Sequence, residues 1–211
     1  MKKITIIGLI LTITISTFAQ INTDNISFEL RYPIPIGDNY INKAFDNGYL
    51  GLIDLGVDYN IIKSNGLGIG ILLNSSVLRL SESDLTLIIL SPKLKVEYEI
   101  DLNKISIIPQ IGAGYSNWIF RSPAPDLTLT DEYGNPVQGD GEKFKKNESG
   151  LTLRGGSKLV LNTDSKVKWY INFTYEFTKL EKPDKPALDT KQNRNIHMIY
   201  PGVGLTWNFG K

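Results

Sequence analysis

Residues whose types could do chemistry are few and widely spaced in this chain of 211 residues. There is one histidine, His197, and no cysteine, which excludes thiol catalysis, thiolate metal sites and disulfides. Arg194 and Asn195 precede His197 closely, but no His-x-Ser or similar local triad signature accompanies it. Asp189 reaches it only if the 183–195 segment folds back, so a general acid or base at His197 lacks its partner. Asp126, Asp131, Glu132, Asp140, Glu142 and Glu148 crowd residues 122–149 beside Lys143, Lys145 and Lys146. Carboxylates bind calcium, but the spaced Asp-x-Asp-x-Asp-Gly loop is missing, and a solvated loop accounts for these acids better. Gly66-Leu67-Gly68-Ile69-Gly70 is a small-residue strand rather than a phosphate cradle, because no helix follows it. The chain therefore reads as a non-enzyme with no metal and no cofactor.

A second set of charges has a regular spacing. Glu29, Asp54, Asp58, Glu97, Glu99 and Glu176 stand against Arg31, Lys93, Lys95, Arg154, Lys158 and Lys168, at positions that alternate with apolar residues. Equal numbers of acids and bases on one face are able to neutralise each other in an enclosed space, where losing one partner costs about 3–5 kcal/mol. The same face carries Gly56, Gly68, Gly70, Gly112, Gly114, Gly156, Gly202 and Gly204. Small residues suit a narrow interior better than a solvated surface.

The elements that must position these charges are strands. Val167, Trp169, Ile171, Phe173, Tyr175 and Phe177 share one face, while Lys168, Tyr170, Asn172, Thr174, Glu176 and Thr178 share the other. Similar alternation runs through 53–61, 88–100 and 199–209, and weaker versions through 26–36, 67–79, 105–120 and 151–161, which makes eight strands and no convincing helix. Their links alternate in length. Lys63-Ser64-Asn65-Gly66, Asp101-Leu102-Asn103-Lys104 and Asn162-Thr163-Asp164-Ser165 are tight, whereas 37–47, 122–149 and 183–195 are long and 81–86 is intermediate. Within the longest link, Leu127-Thr128-Leu129-Thr130 followed by Asp131 to Pro136 reads as a hairpin.

Three architectures suit such a chain: a soluble sandwich, a soluble ligand-binding barrel, and a membrane barrel in which the apolar face points outward. The small, charge-balanced polar face favours the third, as does the lack of Lys, Arg, Asp or Glu at central positions of the apolar faces. Phe28, Tyr59, Tyr98, Trp169, Trp207 and Phe209 lie near the tight-turn end, and Tyr32, Tyr49, Tyr175 and Phe177 near the other, at two levels that suit interfacial girdles. With Phe173 between them, these rings are expected to face lipid. Some residues fit badly. Pro33, Pro35, Pro92, Pro109 and Pro201 fall inside strands and must occupy bulges, rims or non-bonded sites. Leu72, Leu78, Leu80, Ile108, Trp118 and Phe120 fall on the polar face, the first and fourth calling for a bulge and the others for a wall rising above the bilayer.

A net charge of +1 and a pI near 7.8 give no field for nucleic acid, and a mean hydropathy of −0.12 conceals any membrane role in a pattern that averaging erases. Residues 1–19 read as a secretory signal cut before Gln20: Met1-Lys2-Lys3 is basic, Ile4 to Ile15 apolar, and Thr17 and Ala19 small. Residues 20–211 then form one domain. No later window holds the ~18 continuous apolar residues of a spanning helix. With the signal, eight strands, alternating links and the terminal Gly-Leu-Thr-Trp-Asn-Phe-Gly-Lys, the chain resembles small eight-stranded outer-membrane barrels of the OmpA/OmpX type, and especially the PorT-like "outer membrane protein beta-barrel" group. The resemblance implies an all-β, antiparallel, up-and-down transmembrane barrel in a Gram-negative outer membrane. It implies outer-membrane lipid and the barrel-assembly machinery as partners, the latter through a terminal aromatic for which Phe209 is the candidate. Function is expected to be structural or partner-binding through loops 122–149 and 183–195, by a monomer with a plugged polar lumen. A narrow solute channel and a soluble periplasmic binding module remain as alternatives.

Overall fold

The computed structural model describes residues 25–37, 49–80, 86–121, 129–130, 136–137, 145–181 and 194–208. The segment 1–19 expected to be a signal, Phe209 and Asp189 lie outside the described residues, as do most acids of the long link.

Period-two alternation becomes eight long strands: β1 (Asn25–Arg31), β2 (Tyr49–Ser64), β3 (Leu67–Leu80), β4 (Thr86–Tyr98), β5 (Ile105–Arg121), β6 (Lys145–Leu161), β7 (Val167–Leu180) and β8 (Asn195–Asn208). Each pairs antiparallel with the next, and β1 pairs back onto β8 from Asn25↔Asn208 to Arg31↔Gly202, closing the sheet into a barrel. Closure satisfies the edge groups that an open sheet would leave bare. Asn65 and Gly66 link β2 to β3 with φ of 49° and 83°, the backbone that a two-residue hairpin requires and Asn-Gly supplies. At the β4–β5 turn, Asn103 takes φ 68° and its N–H donates to Asp101 Oδ1 at 2.9 Å.

The long links are shorter than the sequence suggests. β6 begins at Lys145, so residues 145–149 belong to the wall and not to a 122–149 loop, and Asn195 likewise starts β8 rather than ending a loop. The cause is a polar stretch that still pairs: Lys145 to Ser149 align with Arg121 to Asn117. Inside the link, Leu129–Thr130 pairs antiparallel with Pro136–Val137.

Leu72 and Ile108 need no bulge, because register shifts fall instead at Gly51/Ile53 and Asn60/Ile62 of β2. Both side chains simply point inward. Pro92 sits in a gap of the β4–β5 ladder, between Leu90↔Asn117 and Lys93↔Gly114. Pro109 lies just past the end of that ladder, and Pro201 just past the end of β1–β8 pairing. Each proline is placed where a missing N–H breaks no ladder bond.

The interior is layered. Toward the long-link end, Leu78, Leu87, Ile89, Trp118, Phe120, Leu180, Ile196, Met198 and Tyr200 pack as one buried apolar cluster, and a smaller cluster of Ile108, Val160 and Tyr170 lies toward the tight turns. Charges and hydroxyls occupy the space between. The outer surface is apolar: Trp169 is 60% exposed, Phe173 56%, Leu94 69% and Ile111 67%. Phe28, Leu30, Leu55, Val203 and Leu205 flank Trp169 around a shallow groove on this outer wall.

Candidate functional site

The polar interior is the densest concentration of chemistry among the described residues. Alternation sends Glu29 and Arg31 of β1, Asp54 and Asp58 of β2, Lys93, Lys95 and Glu97 of β4, Arg154 and Lys158 of β6, and Glu176 of β7 inward, where all are buried. Glu99 and Lys168 are half-buried at the tight-turn rim instead. There Lys63 Nζ meets Glu99 Oε2 at 2.7 Å, and Lys168 Nζ donates to Asn162 Oδ1 at 3.3 Å. Burial works to raise the Glu99 carboxyl, but the hydrogen bond and charge of Lys63 bring it below its ordinary value.

Glu29 is the hub. Arg31 Nη1 and Arg154 Nη2 lie 3.0 and 3.1 Å from its Oε2, and Lys158 Nζ 3.4 Å from its Oε1. The Tyr170 hydroxyl donates to the same Oε1 at 3.3 Å. Arg31 Nε donates to Asp54 Oδ1 at 2.6 Å, and Ser76 also donates to Asp54. Lys158 Nζ reaches Asp58 Oδ2 at 2.5 Å, Asp58 pairs with Lys95, and Lys95 pairs with Glu97 at 2.6 Å. Eight charges thus form one continuous chain, while Lys93 and Glu176 make a separate pair at 2.9 Å. β2 and β6 are four strands apart either way around the eight-stranded wall. The Lys158–Asp58 bond therefore bridges the lumen from side to side.

Glycines on the inward face create the room. A Cβ on Gly204 would sit 2.3 Å from Tyr170 Cζ, and one on Gly202 2.4 Å from Arg31 Cγ. Between the charges and the apolar cluster runs a chain of hydroxyls: Ser91 bonds Ser116, Ser116 bonds Thr152, and Thr152 bonds Thr178 at 2.8 Å. Lys93 Nζ donates to Ser91 at 2.7 Å and ties this chain to its ion pair.

Sequence reasoning missed this hydroxyl chain, although carrying the Arg154 and Glu176 faces two residues outward reaches Thr152 and Thr178. It also left Glu148 among loop acids. Glu148 is buried in β6, and Arg194 Nη2 lies 2.8 Å from its Oε2; this pair joins residues far apart in sequence and has no local signature. His197 is turned away from the lumen, its Nδ1 2.6 Å from the Tyr175 hydroxyl and its ring 5.1 Å from that of Phe177. Of the other outward rings, Phe28, Tyr98 and Trp207 are exposed, with Tyr175 at 39%, while Tyr59 and Phe177 are half-covered.

No family model matches the chain, and no curated protein matches it either. Among solved structures, a major outer membrane protein from Thermus thermophilus is similar at 11% identity and a TM-score of 0.51, with 87% of this chain and 98% of that one covered. The attachment invasion locus protein Ail of Yersinia pestis aligns at 17% identity and a TM-score of 0.49, over 89% of this chain and 100% of that one. Neisserial surface protein A aligns at 11% and 0.48, over 88% and 96%. The Thermus likeness is one of fold: a closed antiparallel barrel.

Proposed function

We propose that this chain is a non-enzymatic integral outer-membrane barrel, exported by residues 1–19, whose lumen is closed along its axis and whose long links present a surface to the outside. One observation carries the reading: the wall is apolar outside and charged inside, the reverse of a soluble fold. Trp169, Ile171 and Phe173 alternate with Tyr170, Asn172 and Thr174 on β7, the first three exposed and the second three buried. In water so much contiguous apolar surface would drive association; in a bilayer it is the surface that hydrocarbon requires. Phe28, Tyr98, Trp169 and Trp207 then form the girdle at the tight-turn end, facing the periplasm, and Tyr115 and Tyr175 the outer one.

Two layers support a closed lumen. The cross-lumen charge chain occupies its middle and the apolar cluster its outer end, and eight strands leave an interior that side chains nearly fill. Narrower kinship with OmpA/OmpX-type barrels and the PorT-like group belongs to this proposal, on the strand number and the alternating links. A monomer folded by the barrel-assembly machinery is the form expected.

Membrane fractionation with surface proteolysis of 122–144 tests location and orientation together. Detergent-dependent extraction, heat-modifiable gel migration and cleavage from outside are expected. A freely soluble folded monomer would refute the proposal.

A further inference from the structure

The outward face of the wall changes character toward the long-link end. Arg79 of β3, Thr86 of β4 and Arg121 of β5 are register partners across three adjacent strands, so they form one row. Both arginines are exposed, and Thr86 is half-buried. Neighbouring strands stand ~4.8 Å apart, which puts the two arginine Cα atoms about 10 Å from each other with the threonine between them. Among the described residues no Asp or Glu shares the outward face of β3, β4, β5 or β6. Two cations therefore flank a hydroxyl on a sector of wall whose described acids point into the lumen. An arginine side chain is long enough to close that gap from either side, so one phosphate over Thr86 can take both guanidinium forks at once.

Height says where such a phosphate would be. The 13 residues of β4 run from Tyr98 in the inner girdle to Thr86, about 30 Å along the axis at ~3.3 Å per residue and a tilt near 40°. The tilt of the row moves each arginine only about 3 Å above or below that level. An apolar band ~25 Å tall ends below it, so the row stands in the outer headgroup layer. Polar groups on the same face lie just beneath. Asn117 and Asn147 are exposed, and the Tyr115 hydroxyl bonds Ser149 at 3.0 Å. Amides and hydroxyls supply both donors and acceptors, as the hydroxyls of a sugar require. Lower still, Leu73, Leu90 and Leu94 are exposed and continue the face into the hydrocarbon. From the top down, the sector offers cations, then hydrogen-bonding groups, then apolar side chains.

We infer that this sector is a lipid site, in which Arg79 and Arg121 clamp a phosphate of a phosphorylated saccharide lipid of the outer leaflet and the leucines below receive its acyl chains. The inference rests on the outer-membrane reading above. Lys179 of β7 marks the contrast: it is also exposed near the outer end of the wall, but Glu181, exposed as well, follows two residues on.

Native mass spectrometry of the full-length protein, folded in detergent and titrated with lipid, tests the site. The probes are diphosphoryl lipid A, its dephosphorylated form and phosphatidylglycerol. The first should bind about tenfold more tightly than either of the others, and Arg79→Gln/Arg121→Gln should weaken it about tenfold or more. Lys179→Gln should leave its affinity within about twofold, as expected of an exposed charge outside the row. Heat-modifiable migration shows that each variant folds. Equal retention of the dephosphorylated lipid, tighter retention of phosphatidylglycerol, or undiminished binding by the folded double variant would overturn the site. Displacement by inorganic phosphate at the same concentration would also overturn it, since the row would then take free phosphate and not a lipid. Quenching of Trp169, as sole tryptophan, by brominated acyl chains separates the two readings. If Trp169 responds while lipid A is not preferred, the lipid site alone fails; if Trp169 is silent, the outer-membrane reading fails with it.

Discussion

Glu29 shows how much a single inward position carries. Its carboxylate faces Arg31, Arg154, Lys158 and the Tyr170 hydroxyl, so it ties β6 and β7 to its own strand. Lys158 does comparable work, since its ammonium group joins Glu29 and Asp58 across the lumen. Lys158→Ala should destabilise the folded barrel by about 3 kcal/mol, read as a lower urea midpoint for loss of the compact gel form, and Asp58→Ala added to it should cost less than the sum of the two single losses. Gly204→Val should cost about 1–3 kcal/mol because its side chain collides with Tyr170. Gly155→Ala is the control: a Cβ there meets nothing within 4 Å, so stability should be unchanged within about 0.5 kcal/mol. At this scale the sequence was partly transparent. The charged residues of the inward face could be read from alternation, but which acid meets which base could not, because partners such as Lys158 and Asp58 are 100 residues apart.

Elements were the most legible scale, because period two and Asn-Gly turns are local properties. Residues 167–178 fall within β7, and Asn65-Gly66 makes the turn that its composition suggests. Strand ends were less legible: polar Lys145 to Ser149 pair as firmly as apolar residues, and only the opposing β5 shows it. Strands of up to 17 residues exceed the roughly 9–11 that span a bilayer, so in the proposed membrane barrel the wall would rise beyond the hydrocarbon on the long-link side. Replacing Asn65-Gly66 by Ala-Ala forces positive φ on two unsuited residues and should slow folding into vesicles and lower the urea midpoint by about 1 kcal/mol or more. The β4 end is fastened by Glu99, whose folded carboxyl is lowered mainly through Lys63 against the opposing effect of burial. Its contribution is complete above the unfolded carboxylate value of about 4.3 and fades as pH falls through the lower folded value. Between pH 6 and about 3 the parent should lose more stability than Glu99→Gln, measured as urea midpoint against pH.

For the whole molecule, the question that periodicity left open was which face meets which solvent. Small residues and balanced charges favoured an inverted barrel, and the exposed outer rings and buried charge chain have that arrangement. What alternation could not disclose is the layering of the lumen, since Leu78, Trp118 and Phe120 looked like misplaced polar-face residues until they met Ile196, Met198 and Tyr200 from the far end of the chain. With those layers in place, planar-bilayer recordings of the folded protein should show no steady conductance. A reproducible open level would place the narrow-channel alternative ahead of the closed barrel. The most direct measurement of the central claim is the fluorescence of Trp169 as the sole tryptophan, in vesicles with brominated acyl chains and with iodide in the water. The outward wall predicts strong quenching by bromine and almost none by iodide; a Trp169 that ignores the brominated chains would contradict it.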